Sequence, residues 1–194
     1  NMAFRNAKEW NEEKYAGKFI LADDKDSADV IFLYKSYNDV LLADVHYVKS
    51  ADYNGYVQCT GHGCPACEKK IRVQNKLFIP LFDVNTRTIQ FWDRSTRFES
   101  QLNREVFKNY DCPVNYVFTI TRNGKAQDIN TTYTITPKGR NTSLSYEQIL
   151  NMFQLKMPDA YEFICKDYNN DQLRSILNST SNDNYDVLPD YPVT

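Results

Sequence analysis

Five of the seven cysteine and histidine residues in this 194-residue chain fall between positions 46 and 67. Cys59, His62, Cys64 and Cys67 make the pattern C-x2-H-x-C-P-x-C, and His46 precedes Cys59 with twelve residues between them. Metal ions such as zinc take four thiolate or imidazole ligands in a tetrahedron, and a C-x2-C knuckle supplies two of them from a backbone that turns around the ion. Pro65 and the flanking glycines suit that turn. The expected ligands are Cys59, Cys64, Cys67 and a histidine. His46 is preferred because it ends a β-like run, a rigid element; His62, three residues from Cys59 and two from Cys64, is cramped and remains the alternative. Four filled positions leave none open for water, so the expectation is one structural Zn2+. Free thiols elsewhere (Cys112, Cys165) point to a reducing compartment.

Around this segment the pattern is mainly β. A first helix is expected over residues 5–16, where Ala7, Trp10, Lys14 and Tyr15 share a face. Runs rich in β-branched and aromatic residues follow at 18–22, 29–36 and 40–48. A hairpin is expected from residue 70 to 94, turning at Asn85–Thr86, with Pro80 marking an edge or a bulge. Ser95 or Thr96 can cap a helix carrying Phe98, Leu102, Val106 and Tyr110. Asn123–Gly124, a type I′ turn pair, predicts a second hairpin with a two-residue turn. Beyond Pro137 the pattern becomes helical, with capping boxes at Ser145/Gln148 and Asp159/Glu162. One helix between two hairpins suits an α+β fold, mainly β: a Greek-key barrel of the oligonucleotide/oligosaccharide-binding (OB) type. The expected organisation is an N-terminal helix over 1–17, an OB core over 18–140 with a zinc subdomain at about 46–72, a helical part over 141–178 and an acidic tail over 179–194.

Charge is unevenly placed: residues 46–140 carry a net +6 and residues 158–194 a net −5. A basic body with an acidic end points toward a polyanionic partner. Lys69, Lys70, Arg72 and Lys76 follow the last cysteine directly, and Phe78, Trp92 and Arg94 come next on strands. Arg122, Lys125 and Tyr133 belong to the second hairpin. Interleaved cations and aromatics suit a binder of single strands, the cations tracking phosphates and the rings stacking on bases at roughly 1–3 kcal/mol each. Strand parity puts Ile89 and Phe91 in the core and leaves Trp92 and Arg94 on the outer surface.

Enzyme classes find little support. There are only 6 glycines, and no phosphate loop, Rossmann fingerprint or G-x-S-x-G. The zinc-deaminase signature fails, because Val48 and Cys64, not Glu, stand two residues after His46 and His62. No apolar run approaches the roughly 18 residues of a membrane span. The rivals to a DNA binder are an RNA binder and a zinc-bearing protein-interaction module.

His46, Cys59 and the C-P-x-C of Cys64–Cys67, followed by the aromatic strand at 76–82, the strand at 89–94 and the hairpin at 118–135, resemble the single-stranded DNA-binding (helix-destabilising) proteins of tailed bacteriophages. The similarity spans roughly residues 28–137. It implies a zinc loop inserted in an OB barrel, with His46, Cys59, Cys64 and Cys67 as ligands. It also implies a DNA-contacting aromatic at Phe78 and a base-stacking tyrosine at Tyr133. The function implied is non-catalytic coating and protection of single-stranded DNA during phage replication, recombination and repair, in the cytoplasm of the infected cell. Replication or recombination proteins are the partners expected at the acidic C-terminal end.

Overall fold

The computed structural model describes residues 17–179, so the expected first helix and the acidic tail beyond Ser179 lie outside the described residues. Nine strands run in chain order: β1 (Gly17–Lys18), β2 (Ser27–Phe32), β3 (Leu42–Lys49), β4 (Asn54–Gln58), β5 (Gln74–Asp83), β6 (Thr88–Ser95), β7 (Tyr116–Asn123), β8 (Thr132–Arg140) and β9 (Cys165–Lys166). Five α-helices accompany them: α1 (Pro65–Glu68), α2 (Glu99–Leu102), α3 (Tyr146–Met152), α4 (Met157–Ala160) and α5 (Asn170–Asn178). The protein is thus mixed α/β, with mostly antiparallel strands; among the described residues β1 with β6 and β4 with β9 pair in parallel. The chain divides into two compact units. One comprises residues up to Leu42 together with Lys76–Tyr161, the other Ala43–Asn75 together with the residues from Glu162 onward.

In the larger unit β2 lies between β5 and β7, with β6 beyond β5 and β8 beyond β7. Among the described residues β6 and β8 are not hydrogen-bonded to each other, so in place of the expected OB-type Greek-key barrel the strands form a sheet that does not close. Val30 to Tyr34 are buried without alternation, because this central strand and its continuation are covered on both faces. The core joins Val30, Phe32 and Tyr34 to Leu77, Ile79, Leu81, Trp92, Phe118 and Ile120, closed by Leu102, Val106 and Phe107. These last three lie on the helix expected after Thr96, which is irregular: a 3-10 turn at Thr96–Phe98, then α2, then a π turn at Asn103–Phe107.

Two local expectations are overturned. Pro80 is at neither an edge nor a bulge; it sits inside β5 opposite Phe91. It is tolerated because β2 leaves the sheet just there. Pairing ends at Phe32–Leu81, and the Leu33 N–H donates to the Pro80 carbonyl (2.9 Å), on the side where proline has no donor to lose. The second hairpin does not turn at Asn123–Gly124: Asn123 pairs with Thr132, leaving the loop 124–131. A two-residue turn would set Ile120 against Gln127, whereas the longer loop sets it against Ile135 and buries both.

Arg122 makes more hydrogen bonds to that loop than any other side chain, beside Asp24, which accepts from the Gly124 N–H (2.8 Å), and Asp128, which accepts from the Asn130 N–H (2.9 Å). Arg122 donates from Nε to the Gly124 carbonyl (2.9 Å), from Nη2 to the Lys125 carbonyl (2.9 Å) and Thr131 Oγ1 (3.1 Å), and from Nη1 to the Leu21 carbonyl (3.1 Å). Replacing Arg122 with Ala leaves these acceptors without their charged donor, at about 1–3 kcal/mol for a buried group. The expected result is fast amide exchange across 124–131 with β7 and β8 still protected, read by hydrogen-exchange mass spectrometry; uniform protection in the variant would show that the loop holds itself.

The smaller unit is built on β3 and β4, antiparallel with His46 opposite Val57, and on β9, parallel to β4. Its core is Val48, Val57, Cys64, Ala66, Leu173 and Leu177. The last two come from α5, whose N-cap Asn169 forms a reciprocal capping box with Gln172. The expected helical part over 141–178 is therefore divided: α3 and α4 belong to the larger unit, and α5 to the smaller.

Candidate metal centre and cation–aromatic groove

The His/Cys cluster forms where β3 and the end of β4 each deliver one member to a tight knuckle. His46 is buried on β3, and the Cys59 N–H donates to the Asp44 carbonyl (2.8 Å), tying the end of β4 alongside. The chain then turns through Gly61 (φ +79) and Gly63 (φ +70), left-handed positions that favour glycine. Cys64 begins α1, with Pro65 in its first turn, and its carbonyl accepts from Glu68 N–H (3.0 Å). Cys67 lies one turn on, so Cys64 and Cys67 face the same point.

The donor atoms of His46, Cys59, Cys64 and Cys67 all lie within 4.8 Å of one another, close enough to hold a metal ion. Cys59 Sγ and Cys67 Sγ are 3.7 Å apart; His46 Nε2 is 3.6 Å from Cys64 Sγ and 3.5 Å from Cys67 Sγ. His46 Nδ1 lies 2.9 Å from the Ile71 carbonyl and 3.1 Å from that of Arg72. Only a protonated Nδ1 can donate to a carbonyl, which leaves the Nε2 lone pair directed at the thiols, the second-shell arrangement of metal-binding histidines. His46 is thus the histidine of the cluster. His62 is exposed on the loop between the two glycines and is not part of it.

The thiols carry the imprint of crowding. Burial pushes the Cys64 thiol up, but the Cys67 N–H, the Thr60 hydroxyl and the N–H groups of Thr60 and Ala66 more than offset it and bring it to about 6. Cys67 is pushed up to about 12 by burial and by its sulfur neighbours Cys59 and Cys64. One thiolate suppresses the next, a conflict that a divalent cation removes by compensating all three.

The larger unit holds a second constellation. Lys18, Phe19, Ile20, Leu21, Trp92, Asp93, Arg94, Arg122 and Tyr133 line a depression of about 260 Å³. Trp92 and Tyr133 meet edge to face at 5.1 Å (82°), and the Arg94 guanidinium carbon lies 4.8 Å from the Tyr133 ring centre and 5.6 Å from that of Trp92. These are cation–π distances. Four residues expected to contact DNA are therefore brought together, Trp92, Arg94, Arg122 and Tyr133, although β6 and β8 share no ladder.

The placement of Trp92 is corrected. It is only 2% exposed, because the second face of β6 is covered by Phe19 (5.6 Å), Phe98 (4.8 Å) and Tyr133. Phe78 is buried too, and Lys76 is engaged by Asp93 (2.9 Å). Lys69, Lys70 and Arg72 are exposed in the smaller unit just after the knuckle, and Lys125 is exposed on the loop that Arg122 organises. Sequence reasoning missed Lys18–Leu21 as a wall of the groove. Its signal was the alternation itself: Phe19 and Leu21 are buried while Lys18 and Ile20 face solvent. It also missed Asn170, whose Oδ1 accepts from Thr60 Oγ1 (2.5 Å) beside the knuckle.

Compared with known proteins, the chain matches no family model, no curated protein and no solved structure.

Proposed function

We propose that this protein binds single-stranded DNA with little sequence preference, coating and protecting it during phage DNA replication, recombination and repair, and that it catalyses no reaction. The observation that carries the reading is the groove in which Arg94 lies over the rings of Trp92 and Tyr133 with Lys18 and Arg122 on the same walls. Cations beside aromatic faces on strands are what sequence-tolerant single-strand binding needs. The strand order supports an OB reading of the larger unit. Taken as β2, β5, β6, α2, β7, β8, the elements follow a five-strand Greek key whose last seam stays open, as OB barrels are partly open. Oligonucleotides bind OB folds on the second and third strands and on the loops after the first and fourth. Within the larger unit those positions include β5, β6 and the loop 124–131.

For the metal we propose zinc. A tetrahedral zinc ion with bonds of about 2.3 Å to sulfur and about 2.0 Å to nitrogen sets sulfurs about 3.8 Å apart and sulfur and nitrogen about 3.5 Å apart. Three of the separations in the cluster, 3.7 Å between Cys59 and Cys67 and 3.5–3.6 Å from His46 to Cys67 and Cys64, support that ion, and the others stay within 4.8 Å. Its role is structural, holding the knuckle and the basic stretch Lys69–Arg72 behind it, while the acidic C-terminal end serves partner proteins.

The test is an intrinsic-fluorescence titration with poly(dT) at rising salt. Quenching that salt reverses is expected, with a log–log slope near −3.5 if about five phosphates are neutralised. A flat titration at low salt overturns the reading. The second reading, a protein-interaction module, is favoured by exposed Tyr37, Leu41 and Leu42, with Leu41 also lining an apolar depression of about 310 Å³ with Tyr146, Met157 and Tyr161. It predicts that flat titration together with a specific protein partner.

A further inference from the structure

We propose that Arg94 is a placeholder: in the free protein its guanidinium occupies the stacking face of Tyr133 that one nucleobase of the bound strand takes over, and the displaced guanidinium then pairs with a phosphate. The inference rests on the single-strand reading above and names the step by which that groove is filled.

Three features of the groove carry it. First, the Tyr133 ring has two dissimilar neighbours. Trp92 meets it edge to face at 5.1 Å, and Arg94 lies 4.8 Å from its centre. Trp92 cannot yield, being buried between Phe19 and Phe98. Arg94 can, because it is only half-buried and its one hydrogen bond given by the structure, from Nε to the carbonyl of Asp93 (2.6 Å), is to the residue next in the chain and leaves the fork of the guanidinium free to turn. Second, the depression of about 260 Å³ beside that ring holds something of the size of a base rather than of a protein segment, and Ile20, 71% exposed on its wall, offers an apolar contact for a ring that enters. Third, the other arginine of the groove is already committed. Arg122 spends four of its five N–H groups on backbone and hydroxyl acceptors. Of the two arginines, Arg94 alone is available to follow a phosphate.

Base and guanidinium compete for one face, so binding of a base is taxed by the lost cation–π contact, a factor of about two to five for an exposed pair. Removing the side chain removes the tax and also one phosphate contact. These effects separate when oligo(dT) is compared with an oligonucleotide of the same length made of abasic deoxyribose phosphates. For Arg94→Ala, the preference for the base-bearing strand over the abasic one is expected to rise by about two- to fivefold, while the magnitude of the salt slope falls by about 0.7. Arg94→Lys keeps a charge without a stacking plane, so it should raise the preference and keep the slope. In a Tyr133→Leu background neither substitution should change the preference. Thermal melting checks that each variant folds, and a Trp10→Phe background leaves Trp92, beside Tyr133, as the one tryptophan reporting.

An unchanged or reduced preference in both Arg94 variants, with wild-type protein binding both strands, overturns the exchange and leaves Arg94 a plain phosphate contact. Failure of wild-type protein to bind either strand overturns the single-strand reading itself, and the exchange with it. A preference that rises for oligo(rU) as well as for oligo(dT) supports the exchange while widening the ligand to either sugar.

Discussion

Stripping the metal is expected to melt the smaller unit while the larger one stays folded. About fifty described residues make up that unit, near the size below which domains need a metal or disulfides. Its core has six fully buried members, and two of them, Cys64 and Ala66, sit on the knuckle itself. Binding of a structural zinc ion is worth about 10–16 kcal/mol in small zinc modules, against about 5–15 kcal/mol of net stability for a whole domain. A unit of this size has no comparable reserve. Chelation, or Cys64→Ser, should therefore erase hydrogen-exchange protection in β3, β4 and α5 and leave β2, β5 and β7 protected, with metal content falling from one ion per chain toward none. On the proposed single-strand function, affinity should fall in step if Lys69, Lys70 and Arg72 contact the strand. Full protection of β3 and β4 after verified removal of the metal would show that the ion does not hold the unit together.

Trp92→Ala is the second large effect. The ring is packed edge to face against Phe19, Phe98 and Tyr133 and sits in the main core. Truncating a buried aromatic to Ala costs about 3–5 kcal/mol, transfer and cavity together. For a domain of this size that lowers the melting temperature by roughly 10 °C or more. A tryptophan on an open surface would change stability by no more than about 0.5 kcal/mol, so thermal denaturation separates the two placements. Trp92→Phe should fall between them. Loss of DNA binding in Trp92→Ala then speaks for the groove only after the variant is shown to be folded at the assay temperature.

What could be read from the sequence follows the range of the interactions. The ligand set was legible because C-x2-C and a histidine on a β-run are local patterns, and the choice of His46 over His62 rested on the rigidity of that strand. The helix that covers the knuckle was not legible as its partner, because Leu173 and Leu177 lie about a hundred residues away and nothing in an amphipathic helix names its target. Parity assigned Ile89 and Phe91 to the core correctly but failed at Trp92. Alternation assumes one wet face, and β6 is covered on both, partly by residues 19–21 from the other end of the unit. The Asn123–Gly124 signal was outweighed by the match of Ile120 to Ile135, a longer-range preference. The mixed, mainly antiparallel character was legible; whether the sheet closes was not, because that depends on whether two edges meet, and here side chains bridge β6 and β8.

The discontinuity of the smaller unit has a consequence for its birth. At about 5–20 residues per second, a ribosome that has just added Ala66 needs on the order of 5–20 seconds to reach Leu173. Within that interval the three thiols and the imidazole are made and emerge from the exit tunnel without the helix that later buries their neighbours. Either the ion is loaded early and shields the sulfurs while the lid is still being made, or the nascent chain carries bare thiols past every oxidant and thiol it meets.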